Sequence, residues 1–474
     1  MKNLFLNFML FLSISSFASA SLILPSNSHI HYTGRINKDN PNHYIYAHAG
    51  ITIKIKFKGT GVKAVIHDYT SGTATSTNYY KVIVDNSIVV AQLKILPGEN
   101  TYDLVSNLSN EEHVLELIKI TEAFPGNSSF KGFYLIGDEA ELLPFENTKT
   151  RKMEFIGDSW TAAFGNLSQY ATGPASMANS NYVAANQDVY YSWVSIAARA
   201  LQADYHVTAS SGKGMYRNNT GSLIETVPLM YDNTLEKDAS HKYNHNEFHP
   251  DVISIHLGTN DMALEESGAN FKMDDQKFEE TYVAFVQKLL NLHPCATVLI
   301  CFGNSKSDFW PTWTKQLSRL RTIAQNVQKS FPDGRVYLLE LPITAEKYTG
   351  NKADDCGYGD AWHPSKCSHE EMAQKLIAKV NAMNIEWGKT GCEPLNSAQI
   401  TLPKVHVYPN PANQFLYVQN ANDIPYQIYD LNGKLVQTGW VNQNQISVDN
   451  LLSGLYILIL QNNHQTQSTR FIKN

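Results

Sequence analysis

Ser159 has the residue type and the position of a nucleophile. It follows Gly157 and Asp158 directly after the apolar run 153–156, so it lies where a predicted strand turns into a helix. Ligands of open α/β sheets bind at the carboxyl ends of the strands. A serine hydroxyl attacks a carbonyl carbon when a base takes its proton and another group orients that base. A serine in this place is also typical of a helix cap, so the rest of a site must be found elsewhere.

A candidate base lies in the segment Asp-Ala-Trp-His, which follows the last predicted strand of the same region. The imidazole of His363 can accept the serine proton. The carboxylate of Asp360, at the start of the segment, can accept a hydrogen bond from the other ring nitrogen. Ser159, His363 and Asp360 are therefore the predicted catalytic residues.

Two further loops offer hydrogen-bond donors for the negative oxygen of a tetrahedral intermediate. A Gly-Lys-Gly segment follows the second predicted strand, and a Gly-Thr-Asn-Asp segment follows the third. We predict an oxyanion hole made by the N–H groups of Ser159 and Gly214 and by the side-chain amide of Asn260. Gly212 is the alternative to Gly214, since either glycine lets a backbone N–H approach a ligand closely. These parts together suit acyl transfer.

The elements that must position these residues alternate strand and helix. Strand-like apolar runs and helical patterns follow each other, with strands at 153–156, 205–209, 252–257, 297–302 and 336–341 and helices at 191–201, 277–292, 314–330 and 370–383. This rhythm predicts a parallel sheet covered on both faces. In the flavodoxin-like strand order 2-1-3-4-5, the ends of strands two, one and three are neighbours. Asp158 and Asp261 are then expected to be structural hydrogen-bond acceptors.

The α/β region is one of several parts of the chain. Residues 1–20 have a basic start, a short apolar run and a small-residue cleavage pattern, which predicts an export signal. Residues 21–147 show short alternating strands separated by turn residues, which predicts a β-sandwich of jelly-roll type. The α/β domain is predicted to cover 148–388, a linker 389–402 and a small β domain 403–474.

Composition excludes several classes of function. The 474 residues include 38 Lys and Arg and 44 Asp and Glu without basic clusters, which argues against nucleic-acid binding. No apolar run after the predicted signal is long enough to span a membrane. Cys356 and Cys367 bracket the segment of His363 and could pair in an exported protein. Cys295 and Cys301 are expected to be small buried hydrophobes.

Three histidines raise the question of a metal site. His241, His245 and His249 recur every four residues, a spacing that would place them on one face of a helix. The segment is rich in Asn and ends at Pro250, which disfavours a helix. We therefore expect no metal there, and no cofactor is implied elsewhere.

In their order, Gly-Asp-Ser, the glycine loop, Gly-Thr-Asn-Asp and Asp-x-x-His resemble the motifs of the SGNH (GDSL-type) hydrolases. His-Tyr-Thr-Gly-Arg at 31–35 and Thr-Glu-Ala at 121–123 extend the resemblance to carbohydrate esterase family 2, over about residues 28–385. The resemblance implies a serine esterase that removes O-acetyl groups from polysaccharides of the xylan, mannan or glucan type through an acetyl-enzyme. Some members use a backbone carbonyl in place of the acid, so a triad with Asp360 and a Ser159–His363 dyad both remain open.

Aromatic residues near the predicted site could contact a sugar. Trp362 adjoins the base, and Trp310 is a second candidate, for which core packing is the alternative, as it is for Trp313. Trp160 stands where the family usually has a small aliphatic residue and could narrow the site. The alternative functions are a GDSL-type lipase or thioesterase on another small acyl substrate and a non-catalytic glycan-binding surface protein.

The end of the chain carries a second resemblance. Tyr-Pro-Asn-Pro at 408–411, Gly-Leu-Tyr at 454–456 and the ending Arg-Phe-Ile-Lys at 470–473 resemble the sorting domain of the type IX secretion system. The resemblance implies passage through the periplasm, a partner in the secretion machinery and a secreted or cell-surface protein. A small carbohydrate-binding β module is the alternative.

Overall fold

The computed structural model describes residues 21–168, 181–311, 313–341, 356, 358–392, 407–418, 424–431, 433–462 and 465–474. The predicted export signal and most of the predicted linker lie outside the described residues. Among the described residues, no helix combines the length and the apolar character that crossing a membrane requires.

The N-terminal part is an antiparallel β-sandwich. Its strands are β1 (His31–Thr33), β2 (Tyr44–Tyr46), β3 (Thr52–Gly59), β4 (Gly61–Asp68), β5 (Tyr79–Val84), β6 (Ser87–Lys94), β7 (Gly98–Val105), β8 (Glu111–Lys119), β9 (Ser128–Ile136) and β10 (Glu141–Leu143). One sheet has the order β1-β3-β8-β5-β6 with β10 also on β3, and the other has the order β2-β9-β4-β7. Ile53, Ile55 and Phe57 of β3 are fully buried while their neighbours are not, as the alternation predicts.

The central part is the predicted parallel sheet with helices. Its strands are β11 (Arg151–Gly157), β12 (Ala203–Ala209), β13 (Asn233–Leu235), β14 (Asp238–Lys242), β15 (Val252–His256), β16 (Thr297–Phe302) and β17 (Val336–Glu340). Its helices are α1 (Ser159–Ala162), α2 (Trp193–Ala200), α3 (Val227–Met230), α4 (Asp275–Leu292), α5 (Gln316–Lys329) and α6 (Lys366–Ala382). The sheet order is β12-β11-β15-β16-β17, all parallel. The predicted order 2-1-3-4-5 is confirmed.

Two apolar clusters cover the parallel sheet, one on each face. The first contains the buried faces of α4 and α5, and the second contains those of α2 and α6. In α5 the buried positions Leu317, Leu320, Ala324 and Val327 recur at helical spacing, so the apolar stripe packs on the sheet. Both faces of the sheet are thereby covered, and its carboxyl end carries the predicted site.

The C-terminal part is a small β domain. Its strands are β18 (Val407–Tyr408), β19 (Phe415–Val418), β20 (Pro425–Tyr429), β21 (Leu435–Trp440), β22 (Gln445–Ser447), β23 (Gly454–Asn462) and β24 (Gln465–Lys473). They form one sheet of order β18-β19-β22 and another of order β21-β20-β23-β24. Their inner faces share an apolar cluster that includes Leu416, Ile428 and Leu458. The three-part fold class predicted from the sequence is confirmed.

The cysteines differ in part from the expectation. Cys356 and Cys367 form a disulfide, and Cys301 is free and buried. Cys295 is not a simple buried hydrophobe, because it forms a disulfide with Cys392. The segment after α6 returns to the start of β16, and no local pattern in the sequence indicates that return.

Two buried ion pairs join the sandwich to the α/β part. Arg35 of the sandwich pairs with Glu154 of β11 at 2.9 Å, and the two side chains are 1% and 3% exposed. Lys81 of β5 pairs with Asp188 at 2.9 Å, and these side chains are also buried. Unpaired charges at such places would be costly, so the two parts are built to fit each other.

Candidate active site

The predicted nucleophile and base are in contact. The Ser159 hydroxyl oxygen lies 2.7 Å from Nε2 of His363. Ser159 is the first residue of α1, directly after β11, and Asp158 caps that helix by accepting the N–H of Trp160 at 3.0 Å. His363 comes from the loop before α6. The structure therefore brings together residues from opposite ends of the α/β part at the carboxyl edge of its sheet.

Two backbone carbonyls orient the imidazole. Nδ1 of His363 lies 3.0 Å from the carbonyl oxygen of Asp360 and 3.0 Å from that of Ala361. A nitrogen facing two acceptors carries the proton, which leaves Nε2 free to accept from Ser159. Ala361 and Trp362 adopt left-handed backbone conformations, with φ of +48° and +65°, and this turn directs the carbonyls at the ring. Such conformations cost about 1–3 kcal/mol each in non-glycine residues and cluster at functional sites.

The carboxylate of Asp360 makes a different contact from the predicted one. It accepts a hydrogen bond from the Asn186 side-chain amide at 2.9 Å, while the Asp360 N–H donates to the carbonyl of Gly165 at 3.2 Å. Gly165 has φ +60°, and a Cβ there would lie 2.3 Å from Cβ of Asp360. The loop of the base thus docks closely on the chain that follows α1. The contact that we assigned to the Asp360 carboxylate is made by its backbone carbonyl, because the left-handed turn directs that carbonyl at the ring.

Aromatic rings enclose the base. The ring centroid of Phe164 lies 4.3 Å from that of His363, and the buried ring of Trp160 lies 6.1 Å from it. Burial lowers the pKa of His363 below its usual 6.5. The imidazole is therefore neutral near pH 7 and able to take a proton. Trp160 forms part of the wall around the base.

The predicted oxyanion donors lie at the ends of β11, β12 and β15. As the first residue of a helix, Ser159 has an N–H without an acceptor inside that helix. The Asn260 amide nitrogen lies 2.8 Å from the carbonyl of Lys213 and 3.3 Å from the carboxylate of Asp158. Asn260 therefore connects the glycine loop to the segment of the nucleophile, and its role as an oxyanion donor stays a prediction.

The two glycines of the loop differ in their surroundings. The N–H of Gly214 donates to the side-chain oxygen of Asn218 at 3.1 Å, and a Cβ at Gly214 would lie 2.0 Å from the carbonyl of Arg217. Gly212 has the left-handed φ of +78° that glycine tolerates. The N–H of Gly214 is thus engaged within the loop, and the assignment of the oxyanion donor to Gly214, with Gly212 as the alternative, stays a prediction.

Asp261 binds the backbone of the residues that follow Gly214. Its carboxylate accepts the N–H groups of Met215, Tyr216 and Arg217 at 3.0, 2.7 and 2.8 Å. Burial raises its pKa to about 6. Asp158 and Asp261 are both structural acceptors, as expected.

The tryptophans proposed as substrate contacts are exposed. Trp362 is 41% exposed beside the base, with its ring edge-on to Tyr358 at 5.5 Å between centroids. Trp310 and Trp313 are 64% and 45% exposed, so neither is packed in a core.

The three histidines considered as metal ligands do not share a helix face. His241 lies in β14 and contacts Asp238 at 2.6 Å, whereas His245 begins a short 3₁₀ segment and contacts Asp232 at 3.1 Å. Within the described part of the chain, no group of three potential metal ligands is assembled.

Sequence reasoning assigned no role to several side chains that support the site. Glu122 of the sandwich contacts Ser211 beside Gly212, and Gln187 bonds both Glu122 and α1. His256 at the end of β15 contacts Asn304 at 2.7 Å behind Asp158. Glu122 belongs to the Thr-Glu-Ala segment at 121–123, which carries part of the family resemblance. No spacing or periodicity in the sequence marks it as part of a site.

Three family models match successive parts of the chain. Residues 32–145 match "Carbohydrate esterase 2 N-terminal", residues 153–376 match "GDSL-like Lipase/Acylhydrolase", and residues 406–474 match "Secretion system C-terminal sorting domain". The order of these matches is the one predicted from the motifs.

Curated relatives and solved structures that are similar to this chain are named as esterases. The chain is 29% identical to a cellulase/esterase, CelE, of Acetivibrio thermocellus over 75% of its own length, but it spans only 39% of that relative. It is also 29% identical to an acetylxylan esterase / glucomannan deacetylase of Cellvibrio japonicus, over 76% of this chain and 92% of that one.

Among solved structures, a family two carbohydrate esterase from Clostridium thermocellum in complex with cellohexaose matches with a TM-score of 0.64 and 28% identity. The match covers 74% of this chain and 98% of that one. The predicted resemblance is confirmed: in chain order the protein is similar to the N-terminal domain of carbohydrate esterase family 2, to GDSL-type hydrolases and to secretion sorting domains.

Proposed function

We propose that the protein is an exported serine esterase that removes O-acetyl groups from polysaccharides. The observation that carries the proposal is the 2.7 Å contact between the Ser159 hydroxyl and His363 Nε2, with Nδ1 of the same ring held by two carbonyls. Acyl transfer requires a neutral base that is held in one orientation against the nucleophile, and His363 meets this requirement against Ser159 at the start of its helix.

In the first half of the reaction, Ser159 attacks the acetyl carbonyl carbon while His363 Nε2 takes the hydroxyl proton. The carbonyls of Asp360 and Ala361 stabilise the resulting imidazolium through Nδ1–H. The oxyanion accepts from the N–H of Ser159, from Gly212 or Gly214, and from the amide of Asn260. The bond from the carbonyl carbon to the sugar oxygen then breaks, His363 gives the proton to that departing oxygen, and an acetyl-enzyme remains.

In the second half, water replaces the sugar. His363 takes a proton from the water as it attacks the acetyl-enzyme, and returns it to Ser159 as acetate leaves. These steps need a general base and fixed donors, all of which the chain's own residues supply.

The substrate class is supported by the relatives, whose names include acetylxylan esterase and glucomannan deacetylase. Exposed Trp362, which directly precedes the base in the chain, and exposed Trp310 offer aromatic faces on which sugar rings can stack. The C-terminal sorting domain supports export through the secretion machinery that reads it. We assign the chain to the type IX route on its terminal motifs.

Acetate release from acetylated xylan, mannan and glucan, followed by positional NMR, tests the proposal. Wild-type protein should release acetate, and Ser159→Ala and His363→Ala should each abolish release while keeping the circular dichroism spectrum. A Ser159→Ala variant with near-wild-type turnover would refute the mechanism. Faster cleavage of long acyl esters than of acetyl esters would instead favour a lipase, and glycan binding without acetate release a binding protein.

A further inference from the structure

We propose that Glu122, a residue of the jelly roll, is a positioning residue of the esterase site that fixes the shape of the glycine loop beside the nucleophile. The inference rests on the proposed esterase function and extends it, because it gives the N-terminal domain a part in turnover. It follows from hydrogen bonds that cross from one domain to the other.

Glu122 reaches the glycine loop directly. One carboxylate oxygen accepts the backbone N–H of Ser211 at 2.8 Å, and the other accepts the Ser211 hydroxyl. Ser211 precedes Gly212, one of the two candidate donors to the oxyanion. A carboxylate that grips both the backbone and the side chain of the preceding residue limits rotation of the peptide that presents the Gly212 N–H.

The same carboxylate is tied to the helix of the nucleophile. Gln187 donates from its amide nitrogen to Glu122 at 3.2 Å and to the carbonyl of Ala162 in α1 at 2.8 Å. Its amide oxygen accepts the backbone N–H of Glu122 and the hydroxyl of Tyr182. Glu122 and Gln187 therefore hold the glycine loop and α1 at a set distance from each other.

The site of Glu122 is built for a buried carboxylate. Glu122 is 0% exposed, and its carboxylate oxygens accept from three donors, two on Ser211 and one on Gln187. Lys119 lies beside it and donates its ammonium hydrogens to the carbonyls of Thr121 and Glu122, which fixes the segment on the sandwich side.

A second buried carboxylate supports the residue before Ser211. Glu236, 6% exposed, accepts the hydroxyl of Ser210 at 2.7 Å. Two successive serines of the loop are thus anchored by carboxylates from outside it, one from the sandwich and one next to β13. Anchoring of this kind suits donors that must not reorganise during the reaction.

Glu122→Gln is a sharp test because glutamine keeps the size but not the set of acceptors. In either orientation of its amide, the NH₂ group would face a donor, on Ser211 or on Gln187. Glu225→Gln is the matched control, since Glu225 pairs with Lys213 of the same loop at 2.9 Å but is half exposed. Surface pairs of this kind contribute little.

Turnover of 4-nitrophenyl acetate is measured at pH 8, above the pKa of about 7 to which burial raises Glu122. A misplaced oxyanion donor should lower kcat by roughly 10- to 100-fold with little change in KM. Glu225→Gln should stay within about twofold of wild type in both constants.

A boronic acid gives an independent reading of the loop. Its boron accepts the Ser159 oxygen, His363 takes the proton, and one boron oxygen then occupies the oxyanion position. The affinity of Glu122→Gln for methylboronic acid should fall by the same factor as kcat. A purely structural role would lower the melting temperature without moving kcat and this affinity together.

The outcomes separate the two proposals. Wild-type protein that neither cleaves the ester nor binds the boronic acid overturns the esterase function and this inference with it. Active wild type with unchanged kcat in Glu122→Gln overturns the inference alone, as does a rise confined to KM. Should Glu122→Gln melt below the assay temperature, Ser211→Ala decides, with a several-fold loss of kcat expected and no loss refuting the idea.

Discussion

Replacing Asp360 by Asn separates a Ser–His dyad from a triad. The substitution removes the negative charge of the side chain but keeps its shape and leaves the backbone carbonyl in place. In the structure, that carbonyl and the one of Ala361 lie 3.0 Å from Nδ1 of His363, whereas the Asp360 carboxylate accepts from Asn186. The groups that hold the imidazole should therefore survive Asp360→Asn.

The two mechanisms predict losses of very different size. In the variant, the new amide oxygen still accepts from Asn186, so the loss is that of a charge-assisted hydrogen bond weakened to a neutral one, about 1 kcal/mol. At 1.36 kcal/mol per tenfold change, this lowers kcat by less than about tenfold. Where a carboxylate orients the histidine, the same substitution costs about 10⁴ in kcat.

Steady-state kinetics on an acetyl ester at pH 8 distinguish these values. Wild type, Asp360→Asn and Ser159→Ala are compared, with circular dichroism to establish that each is folded. We expect Asp360→Asn to keep at least about a tenth of the wild-type kcat, as the hydrogen-bond arithmetic requires. A loss near 10⁴ without unfolding would show that the carboxylate, not the carbonyl pair, orients the base.

Three other measurements follow from the same geometry. Because burial lowers the pKa of His363 below 6.5, the base stays neutral until the pH falls past that lower value. The acid limb of kcat/KM should therefore lie below pH 6.5, and a limb above it in a pH series would contradict the assignment. Asn260→Ala should lower kcat by about 10²–10³ with a smaller change in KM; a change in KM alone would remove Asn260 from the oxyanion hole. Cys295→Ser removes the disulfide between Cys295 and Cys392, two residues that are 97 positions apart in the chain. It should reduce the free energy of unfolding by about 2–5 kcal/mol, and a melting temperature equal to that of wild type would contradict this.

Much of the framework was predictable because strong local patterns determine it. Continuous apolar strands between amphipathic helices allow few arrangements, and right-handed crossovers reduce these further. The strand order then places Ser159 and Asn260 at neighbouring strand ends. His363 was recognised by its residue type and by its place after the last strand.

The finer chemistry was not predictable, because it depends on backbone angles and distant contacts. The carbonyls at Nδ1 require left-handed φ values at Ala361 and Trp362, and neither residue type signals such a conformation. The hydrogen bond that engages the N–H of Gly214 depends on where the Asn218 side chain points. Such features arise when separate segments pack, so single-sequence patterns do not carry them.

The contacts of the sandwich also join segments that are distant in the chain, so the sequence does not indicate them. They give a physical reason for the sandwich to precede the α/β domain. Glu122 lies 89 residues before Ser211 in the chain, yet its carboxylate accepts from that residue's backbone. Lys81 reaches Asp188, whose N–H and carbonyl bond Asn166 after α1. Buried charges at a domain interface add little net stability, since their desolvation offsets their attraction. Their value here is geometric: the sandwich contacts both the loop that carries the proposed oxyanion donor and the segment that packs behind the nucleophile. A jelly roll that only tethered or bound glycans would have no need of a buried carboxylate and a buried ammonium group at these two places.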